Sequence, residues 1–359
     1  MQKEYDRNMV VDEKISETDV VFRDIRIQPF TIYGLYNPTT EDKYKRLPDD
    51  VAKSTSEGVA ALYLHTAGGR VRFATDSPYV AIKATYEVVT RSPKMSLINS
   101  DGFDLYEDLE NSVSIYRGTF IPPVTMVSGY ESLVKIKGEQ KLRYFTLNRP
   151  SYSHPASIEI GIKDGSVLSE GLKYRNEKPI VFYGSSITQG ACASRPGNIY
   201  QNVISQRLNL DYINLGFSGN ARGEDTIVEY MAGLDFSVFV CDYDHNARTV
   251  EHLMKTHRRV YEIIRAKRPD APYVMMSRPD FVRNIPDAIE CRNVILDTYN
   301  YAIANGDKNV YFIDGELFFK GKYESSCTVD RTHPTDLGFA LMADRIEECL
   351  KPIIEKQNI

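Results

Sequence analysis

The sequence predicts an α/β protein in two parts: an antiparallel β-sandwich of jelly-roll type, then a parallel sheet with helices on both faces. Three observations carry this. Residues 1–172 hold short runs in which every second residue is apolar. From about 178 the rhythm changes to short apolar runs separated by stretches of helical period. Between the two lies a polar stretch, Lys163 to Lys178, with Asp164-Gly165 and Glu170-Gly171, which reads as a linker. The expected domains are 1–172 and 173–359.

In the first part Val80, Ile82, Ala84, Tyr86 and Val88 alternate with other residues, as do Val113 and Ile115, Leu142, Tyr144 and Thr146, and Ile158, Ile160 and Ile162. Gly68-Gly69, Ser77-Pro78, Asp101-Gly102 and Gly138 punctuate them. Short period-two runs with such turns specify antiparallel strands. No helix is expected here beyond a turn near Pro48 to Ser54. In the second part the apolar runs are Ile180–Tyr183, Tyr212–Leu215, Val238–Cys241, Tyr273–Met276 and Val310–Ile313. Val250, Leu253, Met254, His257, Tyr261 and Ile264 recur at helical spacing, and a last helix should start after Pro334. Strands that alternate with helices give a parallel sheet.

The 359 residues suit two domains, and 42% apolar with 26% charged residues is a globular composition. A net charge of −5 gives no reason to expect nucleic acid or an anionic membrane surface as partner. No apolar stretch approaches the roughly 18 residues that would span a bilayer. Met1 to Asp6 are polar and hold no signal-peptide core, so the chain as numbered is expected in the cytoplasm, or outside it if a leader has been removed. Five cysteines, odd in number and without a Cys-x-x-Cys pair, are expected as free thiols rather than zinc ligands.

Parallel sheets build their sites at the carboxyl ends of the strands. Tyr183-Gly184-Ser185-Ser186-Ile187-Thr188-Gln189-Gly190 stands at the first such end. A serine exposed on a tight turn becomes a nucleophile when a base takes its proton. The motif is not G-x-S-x-G, because Thr188 stands where the second glycine belongs, and such a motif by itself is more often an ordinary Gly/Ser turn than a catalyst. Asp330-Arg331-Thr332-His333-Pro334 follows the fifth run. Alone, Asp330 would cap the next helix and His333 would be a surface histidine. At a strand end, the pair could face Ser186 as base and orienter.

Gly184 to Gly190, Asn214-Leu215-Gly216-Phe217-Ser218-Gly219-Asn220, Asn246 and Asp330-x-x-His333-Pro334 together resemble the four sequence blocks of the SGNH (GDSL-like) hydrolases, over about residues 178–350. The resemblance implies a flavodoxin-like three-layer α/β/α domain. It carries the nucleophile onto Ser186 and the charged partners onto His333 and Asp330. The oxyanion donors become Ser186, Gly219 and Asn246. It requires no metal and no organic cofactor. Gly102-Phe103-Asp104-Leu105-Tyr106 is similar to the G-x-D-L-Y signature of β-domains that precede some bacterial members, most of them assigned to sugar deacetylation. Two departures stand out. Ser185 occupies a position where the family often has Asp, and the third block reads Asp242-Tyr243-Asp244-His245-Asn246-Ala247 instead of Gly-x-Asn-Asp.

The expected function is a serine esterase that removes a short acyl group, acetyl foremost, from a small or oligosaccharide ester through an acyl-enzyme. Arg278 could contact substrate or tie down a loop, and His245 is a supporting residue. Arg222 and Glu224, after Gly219, are read as a local salt bridge. Two alternatives compete. One is a metal-dependent hydrolase with Asp242, Asp244, His245 and His333 as ligands. The other is a glycan-binding protein without turnover, built on the β half.

Overall fold

The structure, a computed structural model, describes residues 10–110, 112–247, 249–279, 285–321 and 323–357. Met1 to Asp6, read above for a leader, lie outside the described residues. Two compact units are present. The first takes the chain up to Lys45, Leu64–Lys173 and Ser194–Gly197; the second takes Arg46–Tyr63, Tyr174–Ala193 and the chain from Asn198 onward. Two short segments thus depart from a single cut near 172. Among the described residues no helix is long and apolar enough to cross a membrane.

The first unit contains β1 (Val20–Asp24), β2 (Thr31–Tyr33), β3 (Arg70–Thr75), β4 (Tyr79–Val88), β5 (Phe103–Leu109), β6 (Ser112–Phe120), β7 (Gly129–Lys135), β8 (Arg143–Asn148), β9 (His154–Lys163) and β10 (Leu168–Glu170). They form two antiparallel sheets, ordered β1-β9-β4-β7 and β10-β3-β8-β5-β6, with β2 beside β3. One core draws on both. Val80, Ile82, Ile158 and Ile160 come from the first sheet; Val71, Phe73, Phe103, Leu105, Phe145 and Leu147 come from the second. Register explains the choice, since Ile82 opposes Ile160, Phe73 opposes Phe145 and Val71 opposes Leu147. Alternate residues therefore point the same way.

Strand β10 falls inside the stretch expected as a linker. Leu168, Ser169 and Glu170 pair with Thr75, Ala74 and Phe73. Three residues at a sheet edge carry too little apolar pattern to be seen in sequence. Two short helices were likewise not expected, α2 (Glu57–Leu62) in the second unit and α3 (Leu97–Asp101) in the first, while α1 (Asp49–Thr55), also in the second unit, stands where a turn near Pro48 to Ser54 was expected. Local capping starts α2 and α3, while α1 has no side-chain cap. Ser56 accepts the Val59 N–H and Ser96 accepts the Ile98 N–H. Arg46 anchors its segment within the second unit. Its buried guanidinium donates to the carbonyls of Asn214, Gly216 and Leu62 and lies 4.5 Å from the Phe217 ring centroid.

Because Phe103 and Leu105 are in the core, Asp104 and Tyr106 lie on the other face of β5. Asp104 is wholly buried. Its carboxylate accepts Asn148 Nδ2, Arg195 Nη1 and the Gly197 N–H, each at 2.8 Å. Arg195 lies 4.1 Å from the Tyr116 ring centroid and donates to the Tyr106 hydroxyl. The aspartate and tyrosine of the G-x-D-L-Y signature thus fix Ser194–Gly197 in this unit.

The second unit holds β11 (Ile180–Gly184), α4 (Ser186–Gln189), α5 (Tyr200–Leu208), β12 (Tyr212–Gly216), α6 (Asp225–Gly233), β13 (Val238–Asp242), α7 (Val250–Lys267), β14 (Tyr273–Met276), α8 (Ile285–Ala304), β15 (Val310–Ile313) and α9 (Asp336–Gln357). Its sheet is wholly parallel, in the order β12-β11-β13-β14-β15. That is the order of flavodoxin-like doubly wound sheets, whose switch point lies at the end of the first strand. Ile180, Phe182, Val238, Val240, Val274 and Met276 pack with α5 and α9. On the opposite face Tyr273 meets Tyr261 of α7. Covered on both sides, the strands need continuous apolar runs, which is what the sequence contains.

Candidate active site

β11 ends at Gly184, level with Gly216 of β12 and Asp242 of β13. The chain then turns into α4 within one residue. A side chain at 184 would lie 2.1 Å from Thr188 Oγ1 and 2.3 Å from the Asp242 carbonyl oxygen, so the turn needs glycine. Ser185 caps α4: its Oγ accepts the Ile187 N–H at 3.1 Å. This accounts for the departure from the family's aspartate, since serine and aspartate serve as caps equally well. Ser186 opens the helix, where first-turn N–H groups have no intrahelical acceptor. Gly190 closes it in the left-handed region, at φ 105°.

The chain between Cys327 and Thr335 brings Asp330 and His333 to Ser186. The turn is pinned by a bridge between Thr328 and Pro334 and by the Val329 N–H on the His333 carbonyl, at 2.9 Å. Asp330 Oδ1 accepts the backbone N–H groups of Thr332 and His333, at 3.2 and 2.9 Å. Its Oδ2 lies 3.0 Å from His333 Nδ1. His333 Nε2 is 3.0 Å from Ser186 Oγ, across 147 positions of sequence. With a carboxylate at Nδ1, that nitrogen carries the proton and Nε2 is the acceptor, so the Ser186 hydroxyl donates to it. Arg331 takes φ 68°, which allows the turn to close.

Gly219 lies in the loop after β12, at φ 71°, and nothing comes within 4 Å of where its side chain would be. Asn246 ends a 3-10 turn, Asp244–Asn246, after β13. Its Oδ1 accepts the Ala221 N–H at 3.3 Å, which brings the second and third blocks together. Arg222 donates its guanidinium to the Gly219 carbonyl at 3.0 Å, while Glu224 accepts the Arg222 backbone N–H at 3.2 Å. His245 sits beside Asn246 in the turn. Arg278 is committed to that turn: its N–H and Nη2 reach Asp244 Oδ2 and the Asp244 carbonyl, both at 3.0 Å.

Sequence reasoning missed the polar groups beneath the nucleophile. Asp242 is buried and its Oδ2 accepts Thr188 Oγ1 at 3.0 Å and the Tyr200 hydroxyl at 3.3 Å. Burial first, then the nearby Asp244 charge, hold its carboxyl well above the usual range. Asn214 and Gln201 both donate to the Thr188 carbonyl, and Gln189 accepts the Ser218 N–H. Polar residues inside otherwise apolar runs, such as Asn214 between Ile213 and Leu215, were the available signal. Asp242 and Asp244 thus point to different partners. Among the described residues no group of three or more His, Cys, Asp or Glu could hold a metal ion.

Residues 177–351 match the GDSL-like lipase/acylhydrolase family, and residues 20–168 match the GxDLY family, described as the N-terminus of Esterase_SGNH_hydro-type. The chain belongs to the GDSL-like hydrolases with an N-terminal GxDLY domain, and is by class an esterase. No curated protein matches it in sequence. Among solved structures, one described as a GDSL-like lipase from Bacteroides ovatus is 28% identical, with a TM-score of 0.81 over 94% of this chain and 98% of that one. The salicylyl-acyltransferase SsfX3 of a tetracycline biosynthetic pathway follows, at 17% identity and 0.75 over 94% and 99%. A family two carbohydrate esterase from Clostridium thermocellum, in complex with cellohexaose, gives 15% and 0.63 over 91% and 99%. The last two likenesses concern the fold.

Proposed function

We propose that this protein hydrolyses a short acyl ester, acetyl foremost, on a carbohydrate, through a Ser186-His333-Asp330 triad and an acyl-enzyme. The 3.0 Å approach of Ser186 Oγ to His333 Nε2 carries the reading. His333 takes the Ser186 proton as Oγ attacks the ester carbonyl carbon, and Asp330 stabilises the imidazolium. The C–O bond to the sugar breaks and the leaving oxygen takes that proton. Water, deprotonated by His333, then attacks the acyl-enzyme, releasing the acid and restoring Ser186.

The carbonyl oxygen carries the developing charge. The N–H groups of Ser186 and Gly219 and the Asn246 amide are the donors for it. Open space over Gly219 supports this, and so does the engagement of Asn246 Oδ1 by Ala221, which turns Nδ2 away as a donor. His245 borders this site as a substrate contact. The two sheets of the N-terminal unit form a β-sandwich of jelly-roll type in this reading, and the chain comprises domains 1–172 and 173–359.

Hydrolysis of p-nitrophenyl esters from acetate to palmitate, beside acetylated sugars, tests the proposal. Acetate should be turned over fastest and acetylated sugars deacetylated. Ser186→Ala should abolish both while unfolding as the parent does. Retained turnover in Ser186→Ala would reject the nucleophile, and a preference for palmitate would reject the substrate.

A further inference from the structure

Among the described residues, the N-terminal unit encloses a guanidinium with which no carboxylate pairs. Arg149 follows β8 and is 1% exposed. Its Nε, Nη1 and Nη2 are all buried, and none has a hydrogen-bond partner among the described residues. The guanidinium carbon lies 3.7 Å from the Tyr44 ring centroid, and that of Arg26 lies 4.3 Å from the same centroid. Two cations therefore share one ring. The side chains that bear electrostatically on Arg149 are Tyr44, Tyr86 and Arg26. Nearby carboxylates are engaged elsewhere: Glu87 with Lys43 at 2.6 Å, Asp101 with Arg91 at 2.8 Å, and Asp24 with the Arg26 N–H at 2.8 Å.

Further buried donors lie in the same unit. Arg26 Nε, His154 Nε2 and Ser100 Oγ are buried and lack hydrogen-bond partners. His154 feels the Arg149 charge, and the Ser100 carbonyl takes the N–H of Ser153, the residue before His154. Burial lowers Arg149 to about 10, so it remains a cation at neutral pH. An unpaired buried ion costs several kcal/mol. Contact with an aromatic face offsets part of that cost, and it leaves the in-plane N–H groups unanswered.

We propose that Arg149 holds a small monovalent anion, of halide size, inside the N-terminal unit beside Tyr44. The three Arg149 nitrogens can donate to such an ion. An organic acid would need further room for its carbon chain, and the nitrogens are closed off from solvent. The site is independent of the esterase reading.

Thermal unfolding at fixed ionic strength tests this, with sodium chloride exchanged for sodium gluconate. The midpoint of the parent protein should rise by several degrees as chloride goes from zero to about 200 mM, since an ion bound only by the folded state stabilises it. Arg149→Met should lose that dependence. In gluconate it should unfold no earlier than the parent, because the uncompensated charge is gone. Crystals of the parent grown in bromide should show an anomalous peak beside the Arg149 nitrogens. A halide-independent midpoint, an equal rise in both proteins, or bromide crystals without that peak would each overturn the proposal. If Arg149→Met does not fold, the bromide measurement decides.

Discussion

Ala221 donates its backbone N–H to Asn246 Oδ1 at 3.3 Å. This bond settles which end of the amide faces the loop of Gly219 and which is left to donate. A donor that acts on the transition state affects turnover more than binding. Asn246→Ala should therefore lower kcat by roughly 10²- to 10³-fold with little change in KM. Asn246→Asp should do no better, because its carboxylate would repel the developing oxyanion. Steady-state kinetics on an acetyl ester give the answer. A silent Asn246→Ala beside a severe His245→Ala would move the role to His245.

Beneath the nucleophile, Asp242 accepts from Thr188 and Tyr200, and burial raises its pKa. A carboxyl whose folded pKa is raised contributes its stability at low pH and loses it as pH rises toward the folded value. Asp242→Asn keeps the acceptor oxygen and removes the titration. Its stability relative to the parent should therefore climb as pH rises above 3.8, the ordinary value. Asp242→Ala should instead loosen α4 and lower turnover. Urea midpoints across pH 4 to 9 decide; a flat difference between Asp242→Asn and the parent would show that the folded carboxyl is ionised like an exposed one.

Much of the second unit was legible because its strands are buried on both faces. Each is an apolar run of four residues, broken only by Asn214 in β12, that stops at a polar or glycine residue, and the candidate site residues follow those stops. The pairing of Asp330 with His333 could be proposed because three-residue spacing puts both on one side of a turn. The register of Asn246 could not be fixed, since Asp242 to Ala247 offers two aspartates, a histidine and an asparagine. The structure adds that Asn246 Oδ1 accepts the Ala221 N–H. Arg46, Arg195 and Arg149 look like surface residues in sequence, yet all three are largely buried or stacked, held by carbonyls, a carboxylate or rings that lie far away along the chain. Distant partners leave no local periodicity to read.

Asp104 bears on the G-x-D-L-Y signature directly. Its wholly buried carboxylate answers Asn148, the partly exposed Arg195 and the Gly197 N–H. Asp104→Ala strands the Arg195 charge and the Asn148 amide. Breaking a buried pair by removing one partner costs about 3–5 kcal/mol, and that loss is the expected shift in unfolding free energy. Arg195→Met in the Asp104→Ala background should recover part of it, since no charge is then left unpaired. Equilibrium unfolding of the four proteins measures the coupling. A loss under about 1 kcal/mol, typical of an exposed pair, would mean that the carboxylate is not the anchor of this segment.

His257 supplies the acid sensitivity of the second unit. It lies on α7, wholly buried, with Nδ1 2.9 Å from Thr298 Oγ1 and its ring stacked on Tyr243 at 5.9 Å. Burial pushes its pKa from 6.5 down to about 3. Between those values the unfolded chain binds a proton that the folded one refuses, so stability falls as pH falls. The contribution is complete above pH 6.5 and shrinks by about 1.4 kcal/mol per pH unit below it, until the folded histidine itself protonates near 3. His257→Asn keeps a hydrogen-bonding group without the titration. Carboxylates titrate in both proteins, so the difference between them isolates the imidazole. That difference should be constant above pH 7.5 and should move in favour of His257→Asn as the solution is acidified to pH 4.5. If the two stability curves stay parallel over that range, His257 is reached by water and is not a buried neutral base.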